Sequence, residues 1–179
     1  MPEWKPIVGK DFDAEGFAAY CAGLKWKDWK PQFIALHNTY FPDLAMRPKG
    51  FTAQHMLNIA DGYKKKGWRA GPHLFVDDHK IWVFTPLTTQ GRHSPGWNEV
   101  ALGVEMLGDF DKDSFSAGRG LAVRQNAVRA VAILSKVLGL SPDTIRLHKE
   151  DPKTTHKDCP GKNVSKPKFI AEVKAAMAA

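Results

Sequence analysis

Apolar positions along this chain come in two patterns. Short, almost continuous runs occur at Phe33-Ile34-Ala35-Leu36, at Leu74-Phe75-Val76, at Ile81-Trp82-Val83-Phe84 and at Val100 to Leu107. Runs of this length, with β-branched and aromatic members, read as buried strands. Asp77-Asp78-His79 separates two of them, so His73–Val76 and Lys80–Phe84 read as a hairpin. The other pattern has helical spacing. Asp11–Leu24 carries Phe12, Phe17, Tyr20 and Cys21, with Asp11 or Asp13 as cap. Thr52 caps a segment running to Lys66 with the stripe Met56, Leu57, Ile59, Ala60 and Tyr63. Leu121–Leu138 shows a wide face of Val123, Ala127, Ala130, Val131, Leu134, Val137 and Leu138, and Gly139 ends it. Ser165–Ala178 forms a last helix with Pro167 in its first turn.

Strands alternate with helices, and a hairpin is mixed in. That predicts an α/β fold with a central mixed β-sheet flanked by helices. A length of 179 residues suits one domain. Residues 1–31 supply an arm and a helix, residues 32–161 the core with the site, and residues 162–179 the C-terminal helix. No repeat, linker or second module is visible.

The pattern changes after the strand Thr144–Leu147. Leu147-His148-Lys149-Glu150-Asp151-Pro152-Lys153-Thr154-Thr155-His156-Lys157-Asp158-Cys159-Pro160-Gly161 is polar and turn-rich. Imidazole and thiolate suit Zn²⁺, and His148 and Cys159 would offer one of each. A third ligand must come from elsewhere, and His37, after the strand residues 32–36, offers itself. His156 competes with His148, because it makes an H-x-x-C spacing with Cys159. His148 is preferred because it ends a strand. Glu105 is a carboxylate in an apolar strand, costly unless paired or used. Its bland alternative is a salt bridge to a core cation. Gly103, on the same face as Glu105, leaves room for a ligand.

His37 at a strand end, Gly103-Val104-Glu105, and His148 followed by Lys157-Asp158-Cys159-Pro160-Gly161 together resemble the zinc-dependent N-acetylmuramoyl-L-alanine amidases of the amidase-2 and peptidoglycan-recognition-protein family. The resemblance spans Gln32 to Gly161. It implies hydrolysis of the amide between the lactyl group of N-acetylmuramic acid and L-Ala of peptidoglycan. It implies zinc on His37, His148 and Cys159, with Glu105 as base and Lys157 at the oxyanion. Some family members use a tyrosine on the strand after the first helix, but Gly71-Pro72-His73-Leu74-Phe75 offers none, which moves the base role to Glu105. The loop Arg92-His93-Ser94-Pro95-Gly96-Trp97-Asn98 is expected at the cleft rim. There His93, Trp97 and Asn98 would meet substrate, as would His73, Asn38 and Thr39.

Composition narrows the context. Net charge is +7, which suits an anionic envelope as partner, and no nucleic-acid-binding signature accompanies it. The run Lys64-Lys65-Lys66 is explained as the basic end of a helix. Cys21 reads as a small core residue, and two cysteines make no disulfide framework. No stretch would span a membrane, and no leader is recognisable at Met1-Pro2-Glu3-Trp4-Lys5-Pro6. A monomeric phage endolysin made in the cytoplasm fits best. A cytoplasmic amidase recycling muropeptides, a non-catalytic peptidoglycan receptor, and a structural zinc protein closed by His156 are the alternatives.

Overall fold

The computed structural model describes residues 3–179, so Met1 and Pro2 of the expected N-terminal arm lie outside it. Six strands form one sheet: β1 (Lys10–Phe12), β2 (Phe33–Asn38), β3 (Leu74–Val76), β4 (Ile81–Val83), β5 (Ala101–Met106) and β6 (Arg146–Leu147). Their order is β1-β4-β3-β5-β2-β6. The pairs β1–β4 and β4–β3 are antiparallel; β3–β5, β5–β2 and β2–β6 are parallel. The expected mixed α/β sheet is what forms.

Four helices complete the fold: α1 (Ala14–Ala22), α2 (Ala53–Lys65), α3 (Gly118–Leu138) and α4 (Lys166–Ala178). Asp13 caps α1 by accepting from the Gly16 amide, and Thr52 caps α2 by accepting from the His55 amide. Gly139 ends α3 in the left-handed conformation at φ 67°. Strand alternation sends Leu102, Val104 and Met106 to one face of β5 and Gly103 and Glu105 to the other. The first face is fully buried, and α3 packs across β5, β3 and β4. No helix is long and apolar enough to cross a membrane among the described residues. Cys21 is a free, buried cysteine, as expected.

Several boundaries and packing assignments differ from the sequence expectation. Lys10–Phe12 is a strand rather than the junction of arm and helix, because backbone pairing to β4 needs no apolar alternation at a sheet edge. Helix α3 starts at Gly118, ahead of its apolar face. Thr144 belongs to a short 3-10 turn, leaving β6 only two residues. Leu57 and Val137 sit in the expected stripes but are 55% and 39% exposed, because only one side of each helix faces the core. The polar loop before α3 buries Phe110 and Phe115 against each other at 4.7 Å.

Candidate functional site

The parallel strands β2, β5 and β6 end along one edge, the usual place for a ligand crevice in such sheets. His37 on β2 and Glu105 on β5 are register partners there. His148 follows β6 directly and starts a one-turn 3-10 segment, His148–Glu150. Cys159 returns to the same place because the Lys149 amide donates to its carbonyl at 2.9 Å. The Asn38 amide, at the end of β2, donates to Cys159 Sγ at 3.4 Å. The following Gly161 has φ 110°, and a Cβ there would lie 2.5 Å from the Phe110 carbonyl carbon. Only glycine fits, which explains the residue after Cys159-Pro160.

Ligand atoms of His37, His148 and Cys159 all lie within 4.8 Å of one another. Nε2 of His37 is 2.9 Å from His93 Nδ1, and Nε2 of His148 is 2.9 Å from Thr154 Oγ1. Both rings therefore keep Nδ1 for a metal. Burial, and then neighbouring rings, hold both imidazoles below their ordinary pKa, His148 at about 4, so each is a neutral donor near pH 7. Burial, then Glu105, pushes the Cys159 thiol above its ordinary range. Metal loading would release that proton. Two neutral imidazoles and a thiolate with a fourth position free fit zinc in a hydrolytic site. His156 lies beside this trio, its ring 5.3 Å from that of His148, and is exposed.

Glu105 Oε1 is 3.8 Å from His37 Nδ1, and its side chain is 16% accessible. Burial pushes its carboxyl up to about 8. With His37 neutral, this contact is polar rather than ionic, and no core cation pairs with Glu105 among the described residues. Glu105, Lys157 and Cys159 line one cavity of about 890 Å³ with His37, Asn38 and Thr39. A second of about 660 Å³ joins it at Trp68, Arg92, His93, His148, Thr155 and His156. Lys66 also faces the cleft, so the lysine run is not wholly a helix end.

The rim loop differs from its sequence reading. Trp97 is 7% exposed and packs edge-on against Phe33 at 5.3 Å, so it offers no free ring to a sugar. Its apolar bulk is spent on a small second core with Phe33, Ala35 and Ala101. Asn98 lines the smaller cavity, but its Oδ1 accepts from the His93 and Ser94 amides and shapes the loop. His73 is fully buried, with Nδ1 accepting from the Gly103 amide and Nε2 at 2.8 Å from the Thr89 carbonyl; it touches neither cavity. The space over Gly103 is filled by His93, whose ring a Cβ would meet at 2.4 Å. Thr39 lines the cleft while its hydroxyl donates to the Pro42 carbonyl.

Three contributors were missed. Asp151 is buried and accepts from Ser94 Oγ, the Gly96 amide and the Lys153 amide, latching the rim loop to the segment between His148 and Cys159. Thr154 holds His148. Tyr63 reaches the cleft from α2, and burial, then the field of Glu105, raises its phenol pKa. Its place in an apolar helical stripe hid it; the H-x-x-x-x-x-T spacing from His148 was the one available signal for Thr154.

Residues 27–162 match the family model described as N-acetylmuramoyl-L-alanine amidase. No curated protein matches the chain by sequence. Among solved structures, it resembles the endolysin N-acetylmuramoyl-L-alanine amidase LysCS of Clostridium intestinale URNW, at 21% identity and TM-score 0.64, over 85% of this chain and 92% of that one. The amidase LysC of the same organism is 20% identical with TM-score 0.65, over 85% and 94%. Drosophila PGRP-LB is 16% identical with TM-score 0.61, over 84% of each chain. At these identities the likeness is one of fold.

Proposed function

This chain belongs to the N-acetylmuramoyl-L-alanine amidase family, and we propose that it is a zinc-dependent hydrolase that cleaves the amide between the lactyl group of N-acetylmuramic acid and L-Ala of peptidoglycan. The observation that carries this is the convergence of His37, His148 and Cys159 ligand atoms within 4.8 Å, beside a cleft carboxylate. Zinc held there would supply Lewis-acid polarisation of the scissile carbonyl and make a nearby water more acidic.

The chain's own groups do the rest. Glu105 opens onto the cleft and, raised to about 8, is a stronger proton acceptor than a solvated carboxylate. It takes the proton of the attacking water and later gives it to the leaving L-Ala amine. Lys157 is exposed at the cleft and has no carboxylate partner among the described residues. Its ammonium faces the charge that develops on the carbonyl oxygen. Asn38 and Thr39 at the end of β2 line the same cavity and orient substrate. The +7 charge favours approach to an anionic wall, in keeping with an endolysin-like role after release from the cell.

Mass spectrometry of products from purified peptidoglycan tests this. Stem peptides beginning at a free L-Ala amine should appear, and both chelation and Glu105→Ala should abolish them. Release that survives Glu105→Ala rejects the base. Tight wall binding without release points instead to a receptor on this fold.

A further inference from the structure

We propose that His93 is a positioning residue for His37: from the backbone of β5 it fixes which nitrogen of His37 carries hydrogen, and so which one is offered to a metal. The argument starts at a group that cannot reverse its role. The Ala101 carbonyl only accepts, so His93 Nε2, 2.9 Å away, must carry the proton. A neutral His93 then presents a bare Nδ1. That atom is 2.9 Å from His37 Nε2, so the hydrogen between them belongs to His37. His37 is left with its lone pair at Nδ1, the nitrogen 3.8 Å from Glu105 on the cleft side. His37, His93 and the Ala101 carbonyl thus form a one-way chain in which each imidazole donates to the next group, running from the metal position to β5.

His93 is held firmly enough to do this. Its ring stands edge-on to His37, with centroids 5.0 Å apart and planes at 87°. Gly103 lies beneath it and has no Cβ, which is what lets the ring reach both partners. Asn98 Oδ1 accepts from its backbone amide at 2.7 Å. A second imidazole, His73, closes the other side with ring centroids 5.9 Å away. Its own nitrogens are committed to Gly103 and Thr89. Partners that hold the far nitrogen of a ligating histidine set its tautomer and aim, and their loss typically weakens metal binding by roughly 10–100-fold.

The inference rests on the metal site proposed above, and its test separates the two. Imidazole ¹⁵N spectra of the metal-free protein should show His37 and His93 as Nε2–H tautomers. Zinc affinity, read by competition with a chromophoric chelator, should fall roughly 10–100-fold in His93→Phe. It should be largely restored in His93→Gln, whose amide can donate to Ala101 and accept from His37. His37 found as the Nδ1–H tautomer overturns the inference, as does a folded His93→Phe with zinc affinity equal to wild type. If His93→Phe does not fold, the wild-type spectra and His93→Gln still decide. A wild-type protein that binds no zinc sinks the metal reading alone, because the tautomers are measured without metal.

Discussion

His37 and Cys159 approach the same point from opposite kinds of structure. His37 lies in β2, an interior strand paired with β5 on one side and β6 on the other. Its neighbours Glu105 and His93 are set by strand register and by one carbonyl of β5. Cys159 and Lys157 lie in irregular chain, and Lys157 is exposed. The loop half is held by a few specific devices: the Asp151 carboxylate, the Thr154 hydroxyl, the Lys149–Cys159 backbone bond and a glycine at positive φ. One half gains precision from a sheet that would form anyway. The other gains it from contacts that can be removed one at a time.

Acid should have the largest effect, through imidazoles that both halves contribute. Burial keeps His73 at about 3 and His93 and His148 at about 4, with His37 also well below 6.5. The unfolded chain takes up these protons near 6.5, so the stability they confer is full above that value. It is lost as pH falls through the folded values. Thermal melts of metal-free protein should therefore drop steeply between about pH 6.5 and 4, and a flat profile there contradicts the neutral imidazole cluster. Trp97→Ala comes next. It should cost about 3–5 kcal/mol of stability by denaturant titration, because it empties the second core. KM for peptidoglycan should stay as it is; a raised KM in a folded variant would return Trp97 to the substrate.

The loop half should respond differently. Gly161→Ala should cost about 1–3 kcal/mol through backbone strain and weaken zinc binding through Cys159. Loss of stability with unchanged metal affinity would uncouple the two. Lys157→Ala should move stability by less than about 0.5 kcal/mol. Its kcat should fall by roughly 100-fold, the scale of losing one oxyanion partner. A melting temperature that falls with kcat would make Lys157 a structural residue instead.

The same division governs what could be read from sequence. Elements that bury apolar residues on both faces were legible, as β2 and β5 were in Ile34, Leu36, Leu102 and Val104. The convergence of His37, His148 and Cys159 was legible because imidazole and thiol fell together at strand ends and at the end of one turn-rich loop. Edges were less legible: β1, Lys10-Asp11-Phe12, was not read as a strand, and β6 was read with its start too early, at Thr144. Side-chain direction in loops was also hidden. Trp97 and His93 share a short segment, yet one turns into a second core and the other onto His37. Gly103 was read as open space, and the ring that fills it comes from the loop before β5.

The segment between Lys149 and Cys159 is the handle for changing what the cleft accepts. Its two ends are joined by a backbone hydrogen bond, and Asp151 fastens its first turn. It behaves as a cassette of fixed circumference. Thr155 and His156 can be exchanged one for one, altering the cleft wall while the fastened ends and Lys157 keep their places. Adding or deleting a residue there would shift His148 against Cys159, so redesign of this segment must conserve its length along with Asp151, Thr154 and Lys157.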